Sequence, residues 1–229
     1  MKIIISLWLV AVVSLNVVHA QIFQKGIEAT ISTPFVWNKY EITNLIGSTK
    51  LMDGSGWSNG INLTFSKPVR KDFLLCGGVG FYKQNFDLHR PFDYPSPTYP
   101  LFTTRMYSYQ NVQWIIGGAY RIKLGKRHSI NCQVTYNSYS SFKQVYYTET
   151  ANPEQVNHKN INLGSSINFA LGMRRKIGEK FLMGADAMLP FAMKWRKDII
   201  FRENTSEFHE AKASFGFSLS VTYLLKNHS

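Results

Sequence analysis

Between Ala211 and Leu225 the chain alternates bulky apolar residues with small polar ones. Ala213, Phe215, Phe217, Leu219, Val221, Tyr223 and Leu225 fall on one parity, and Lys212, Ser214, Gly216, Ser218, Ser220 and Thr222 on the other. A period of two is the mark of an extended strand with one apolar and one polar face. The run exceeds the strand of about 5–6 residues usual in soluble sheets. It suits the roughly 9–11 tilted residues that carry a strand across a bilayer. A strand in lipid must pair along both edges, so one such segment implies others and a closed barrel.

The others are present. Alternating rows run over Ile27–Ile31, Trp57–Phe65, the glycine-rich Phe73–Gln84, Val112–Leu124, Ile130–Tyr136, Ile161–Met173 and Phe181–Trp195. With Ala211–Leu225 they predict an all-β fold: an eight-stranded, antiparallel, up-and-down transmembrane β-barrel. Short polar turns at Arg70-Lys71-Asp72, Gly125–His128 and Gly178–Lys180 alternate with longer segments at Thr33–Gly56, His89–Arg105, Glu149–Lys159 and Arg202–His209. Short turns at one rim and long loops at the other fit an outer-membrane barrel with periplasmic turns. The even strand number then puts both chain ends in the periplasm. Pro190 lies inside the seventh strand, where its missing N–H calls for a bulge or for the strand to have left the membrane.

Residues 1–20 stand apart. Met1-Lys2, the apolar run Ile3–Val18 and Val18-His19-Ala20 have the layout of a signal peptide cleaved after Ala20. Residues 21–229 then form a single domain. Without Lys2, 25 basic and 14 acidic side chains remain, a formal charge of 25 − 14 = +11. An exported chain rarely meets nucleic acid, so this charge is not read as a nucleic-acid interface. Cys76 and Cys132 do not make a disulfide framework and are expected as two free, buried thiols, Cys132 on the apolar side.

The apolar face decides between two barrels. A soluble lipocalin-like ligand-binding barrel turns its bulky residues inward and its charges outward. Here the polar row is mostly Gly, Ser, Asn, Thr and Ala, which suits the crowded interior of a narrow barrel, while the bulky row suits lipid. Tyr136, Tyr139, Phe142, Tyr146, Tyr147, Trp37, Trp57 and Trp195 are expected in interfacial girdles. An interior carboxylate needs a partner. Asp186 is expected to pair with Arg174 in a lumen network, with Arg121 or Glu28 as further members.

Tyr107-Ser108-Tyr109-Gln110-Asn111-Val112-Gln113, followed by Gly117-Gly118-Ala119-Tyr120-Arg121-Ile122, resembles the loop-into-strand pattern of small eight-stranded outer-membrane barrels of the Bacteroidota type. The resemblance implies an outer-membrane location and recognition of the last strand by the barrel-insertion machinery. Such barrels commonly end in an aromatic residue. Here Tyr223 is followed by Leu224-Leu225-Lys226-Asn227-His228-Ser229, so Tyr223 and Leu225 stand as the insertion signal.

Eight strands leave no room for a general diffusion pore. The expected function is non-enzymatic: a scaffold, or a loop-presenting protein of the envelope. In Arg90–Phe102 prolines alternate with Phe92, Tyr94, Tyr99 and Phe102, a stiffened aromatic surface that could meet an envelope protein or a surface glycan. A lipid-modifying barrel enzyme is the alternative, since His89, His158 and His209 fall at or beside the outer loops with Asp87, Asp93, Glu207 and Glu210 nearby. None of these histidines shares a metal-ligand spacing, and no nucleophile elbow is present, so no catalytic residue, metal or cofactor is assigned. Lys67, Arg70, Lys71, Lys123, Lys126, Arg127, Arg174, Arg175, Lys176, Lys180 and Lys226 gather near the turn rim, where outer-membrane lipids of the inner leaflet are the natural partners.

Overall fold

The computed structural model describes residues 26–44, 50–70, 72–89, 104–148, 155–158, 163–197 and 207–225. Among these described residues nine strands follow in order: β1 (Glu28–Asn44), β2 (Lys50–Pro68), β3 (Phe73–His89), β4 (Thr104–Leu124), β5 (His128–Thr148), β6 (Gln155–His158), β7 (Leu163–Ile177), β8 (Phe181–Lys197) and β9 (Glu207–Leu224). Eight of them close an antiparallel barrel in the lateral order β4-β3-β2-β1-β9-β8-β7-β5, with β5 pairing back to β4. The short β6 extends the wall beside the far end of β5, pairing Gln155 with Tyr147 and His158 with Gln144. The last strand of the chain lies against the first, Glu28 opposite Leu224, so both ends of the barrel sequence meet at the turn rim.

The register gives the barrel's dimensions. From Leu124 the directly opposed residues run through His128, Arg175, Met183, Val221, Ile31, Leu63 and Val79, and return to β4 at Trp114. The offset, 124 − 114 = 10 residues, is the shear. Eight strands with this shear tilt by about 40° and leave a bore that side chains fill. Gly125 and Gly178 adopt φ values of 77° and 62° at two of the tight turns, a conformation that strains any residue with a Cβ.

The bulky row faces outward. Trp114 and Phe217 are each 54% exposed, and Ile31, Leu63, Phe81, Tyr136, Leu171 and Leu189 share that outer surface. The facing is the reverse of a lipocalin's, because Asn, Ser, Thr and Gln line the interior.

Several expectations are corrected by the fold. The segment Thr33–Gly56 is mostly strand, β1 reaching Asn44 and β2 starting at Lys50. Above the apolar belt Lys39 and Glu41 take the outer face and Asn38 and Tyr40 the inner one, so the bulky-outside alternation fades while the strands continue. Tyr139 is no girdle residue: it points inward and is 1% exposed. Cys76 is buried on the inner wall, whereas Cys132 is only half-buried on the outer one. Its neighbours on the outer face shield it incompletely, because that face is built to meet lipid.

Pro190 sits opposite Asn168 of β7. On its other side the β8–β9 ladder has no pairs between Met188–Gly216 and Lys194–Glu210. Three residues of β7, Ser165 to Ile167, lie opposite four of β8, Phe191 to Lys194, so a bulge adjoins the proline.

Candidate functional site: the lumen and its rims

Two ion pairs stand at the turn side of the bore. Arg174 on β7 and Asp186 on β8 are buried, with Arg174 Nη1 2.7 Å from Asp186 Oδ1 and Nη2 donating to Oδ2 at 2.8 Å. Arg121 on β4 reaches Glu28 on β1, three strands away, donating through Nη1 and Nη2 to the two carboxylate oxygens at 2.6 and 2.8 Å. The strands that carry them are not neighbours, so this pair bridges the bore itself. The four residues expected to share one network form two separate ion pairs, of which Arg121–Glu28 is bidentate. Tilt and shear bring Arg121 level with Glu28, and Asp186 is already matched by the guanidinium beside it.

Above the ion pairs lies a cavity of about 70 Å³, lined by Asn62, Thr135, Asn168, Arg174, Asp186 and Ser218 among others. It is polar and has room for a handful of waters. Asn137 Oδ1 and Ser220 Oγ, both on its wall, are buried without a protein partner, the kind of group that ordered water satisfies.

Toward the loop side the bore is closed by aromatics. Tyr40, Tyr82, Phe86, Tyr109 and Tyr139 are all buried. Their rings stack at 4.4 Å for Tyr40–Phe86, 5.4 Å for Phe86–Tyr109 and 5.8 Å for Tyr82–Tyr139. Polar side chains tie this layer to the wall. Tyr139 and Ser166 hydroxyls bond at 2.6 Å, Asn38 donates to Ser58 at 2.9 Å, and Asn111 donates to Gln84 at 2.9 Å. Asn38 also accepts from Ser214, and Asn111 from Ser141. One step lower, Gln113 donates to Asn62. Sequence reasoning missed this aromatic layer. The available signal was parity: Tyr82, Gln84 and Phe86 share one face, as do Asn137, Tyr139 and Ser141.

The remaining candidates are placed less fully. Tyr223 is half-buried on the outer wall, stacked on Phe181 at 5.2 Å, and Leu225 is exposed beside it at the turn rim. Phe92, Tyr94, Tyr99 and Phe102 lie outside the described residues, as do the signal segment 1–20 and the tail 226–229. His89, His158 and His209 belong to β3, β6 and β9, no two of which are adjacent in the sheet. Among the described residues, no group of three or more His, Cys, Asp and Glu is placed to hold a metal ion.

The architecture has counterparts among solved structures. The outer membrane protein OprG from Pseudomonas aeruginosa matches with a TM-score of 0.52 at 9% identity, over 88% of this chain and 97% of that one. The fold is that of an outer-membrane β-barrel. Two further matches are the outer membrane protease OmpT from Escherichia coli (TM-score 0.44, 9% identity, 89% and 98% covered) and Ail, the attachment invasion locus protein of Yersinia pestis (0.36, 10%, 87% and 99%). At these identities the likeness is one of fold. The sequence matches no protein-family model and no curated protein.

Proposed function

We propose that this chain is a non-enzymatic integral outer-membrane barrel, a rigid scaffold that presents the segments of its loop rim to an envelope protein or a surface glycan. The observation that carries the reading is the pairing of an apolar outer wall with a bore filled from within. Arg121–Glu28 and Arg174–Asp186 occupy its turn side, and the Tyr40–Tyr82–Tyr139 layer occupies its loop side. Charged lumen groups held in ion pairs serve as structure rather than as an acid or base, and His89, His158 and His209, on which a lipid-modifying barrel enzyme would rest, sit on strands no two of which are adjacent. The turn rim is the periplasmic one in this proposal, so both termini are periplasmic and Tyr223 and Leu225 meet the insertion machinery. The Bacteroidota-type resemblance belongs to the same reading and is supported by the sequence of Tyr107–Ile122 alone.

Reconstitution in planar bilayers tests it. A filled bore gives no resolved conductance steps, while deletion of Pro91–Pro100 leaves the barrel folded and removes binding to the envelope partner. A stable, ohmic conductance of the native protein would contradict the scaffold reading.

A further inference from the structure

The turn rim carries a cleft that the scaffold role does not use. It has a volume of about 810 Å³ and lies at the tips of the β4–β5 and β7–β8 turns, lined by Lys126, Arg127, Arg175, Lys176, Ile177 and Met183. The two turns are tied together by the Lys176 N–H, which donates to the Arg127 carbonyl at 2.7 Å, so the cations from the two hairpins are held side by side. No carboxylate is among its described lining residues. Glu179, the acidic residue of these turns, does not line it.

Position distinguishes this cleft from a merely basic rim. Met173, Arg175 and Ile177 share the outer face of β7, and Arg175 lies directly between His128 of β5 and Met183 of β8. Ile130, paired with Met173, stands one outward step nearer the belt. Arg175 thus sits where hydrocarbon gives way to headgroups, with Met183 and Met173 available to an acyl chain just above, and Lys126, Arg127 and Lys176 border the same cleft at the rim. A phosphate at this depth meets guanidinium and ammonium donors while its own chains stay on the apolar wall. Four cationic side chains exceed what one phosphodiester neutralises.

We propose that this cleft is a binding site for an anionic phospholipid whose headgroup carries two phosphates, drawn from the leaflet that the turns face. The inference rests on the barrel being membrane-embedded. Arg127 and Arg175 hold the phosphates through charge-assisted hydrogen bonds, Lys126 and Lys176 complete the neutralisation, and Ile177 with Met183 supports an acyl chain.

The test is native mass spectrometry of the full chain in detergent micelles, offered in turn cardiolipin, phosphatidylglycerol and phosphatidylethanolamine. The expected result is a cardiolipin adduct that survives activation at which the other two are lost. Arg127→Gln/Arg175→Gln should weaken it roughly 30-fold, from about a fivefold loss per removed cation. Both side chains lie outside the bore, and unheated gel mobility reports that the variant is folded. Lys67→Gln/Arg70→Gln, at the end of β2 and in the β2–β3 turn, should leave the adduct unchanged. Equal retention of cardiolipin and phosphatidylglycerol, or equal losses in the two variants, would overturn the site in favour of a diffuse basic ring. Competition by inorganic pyrophosphate at concentrations matching the lipid would reassign it to a soluble polyanion. Retention of no lipid of any headgroup would instead count against the membrane reading itself.

Discussion

Arg174 and Asp186 each project over a glycine of the other's strand. Arg174 lies directly opposite Gly184, and Asp186 directly opposite Gly172. A Cβ on Gly184 would stand 2.4 Å from Arg174 Cδ and Nη1, and one on Gly172 would stand 2.1 Å from Asp186 Oδ1. The ion pair fills the space that two missing side chains leave, so the glycines are as much a part of it as the charges.

Gly172→Ala is therefore expected to destabilise the barrel by about 1–3 kcal/mol. Its Cβ meets backbone as well as the carboxylate, the Ala185 carbonyl oxygen being 2.3 Å away, so a rotamer change cannot relieve it. Urea unfolding in micelles, followed by circular dichroism, measures the loss. Gly77→Ala is the control, since its nearest neighbour is the Ile115 carbonyl at 3.7 Å, and it should leave the midpoint in place.

Removing one charge should cost more than removing both. Asp186→Ala leaves the buried Arg174 guanidinium uncompensated, a loss of about 3–5 kcal/mol. The double variant Arg174→Leu/Asp186→Leu removes that penalty and should recover part of the stability. The same unfolding assay checks the pair, and a native midpoint for Asp186→Ala would count against the coupling.

The two thiols should differ in reactivity without any substitution. Cys132 is half-buried on the outer wall, and Cys76 is buried on the inner one, where Gln133 Nε2 approaches its sulfur at 3.6 Å. A small, membrane-permeant maleimide should add once to the folded protein, at Cys132, and a second time only on unfolding. Peptide mapping identifies the site. Early labelling of Cys76 would show that the bore admits the reagent.

The seam beside Pro190 should open before the rest of the wall. Between Met188–Gly216 and Lys194–Glu210 the β8–β9 ladder is interrupted, whereas β4 and β5 stay paired from Arg105–Thr148 to Leu124–His128. Amides lacking a cross-strand partner exchange through small local openings. Among residues 211–215, the amides directed toward β8 are expected to exchange faster than those over 112–122 by orders of magnitude, while those directed toward β1, paired from Tyr40–Ala211 to Trp37–Phe215, stay protected. Equal protection in the two segments would mean that the seam is closed by other bonds.

The apolar belt was the legible part of this fold. Phe215–Val221, Trp114–Ile122 and Leu171–Met173 alternate because one face meets lipid and the other meets packed side chains, and a sequence records that contrast directly. Legibility ended where the contrast ended. Past Trp37, β1 carries Lys39 and Glu41 on its outer face and Asn38 and the buried Tyr40 on its inner one, so the bulky-outside, small-polar-inside contrast no longer marks its length. Tyr139 resembles a girdle residue in composition, and only its parity with Asn137 and Ser141 shows that it points inward. The neighbouring-strand pairing of Arg174 with Asp186 follows from a tight turn at Gly178–Lys180. The Glu28–Arg121 bridge depends on tilt and shear, which a single strand's pattern does not carry.

The central claim is that the bulky row meets lipid while the small polar row walls a filled bore, and a spin-label scan of β9 tests it most directly. Single cysteines at Phe215 and at successive positions from Phe217 to Val221, in a background lacking Cys76 and Cys132, are labelled in liposomes and compared for collision with oxygen and with a water-soluble nickel chelate; Gly216 is left in place because a Cβ there would meet the Phe35 carbonyl. The account predicts a period of two: high oxygen and low nickel accessibility at positions 215, 217, 219 and 221, with low accessibility to both at 218 and 220. High nickel accessibility at the even positions would reveal a water-filled channel, and oxygen maxima at the even positions would mean that the barrel is turned inside out.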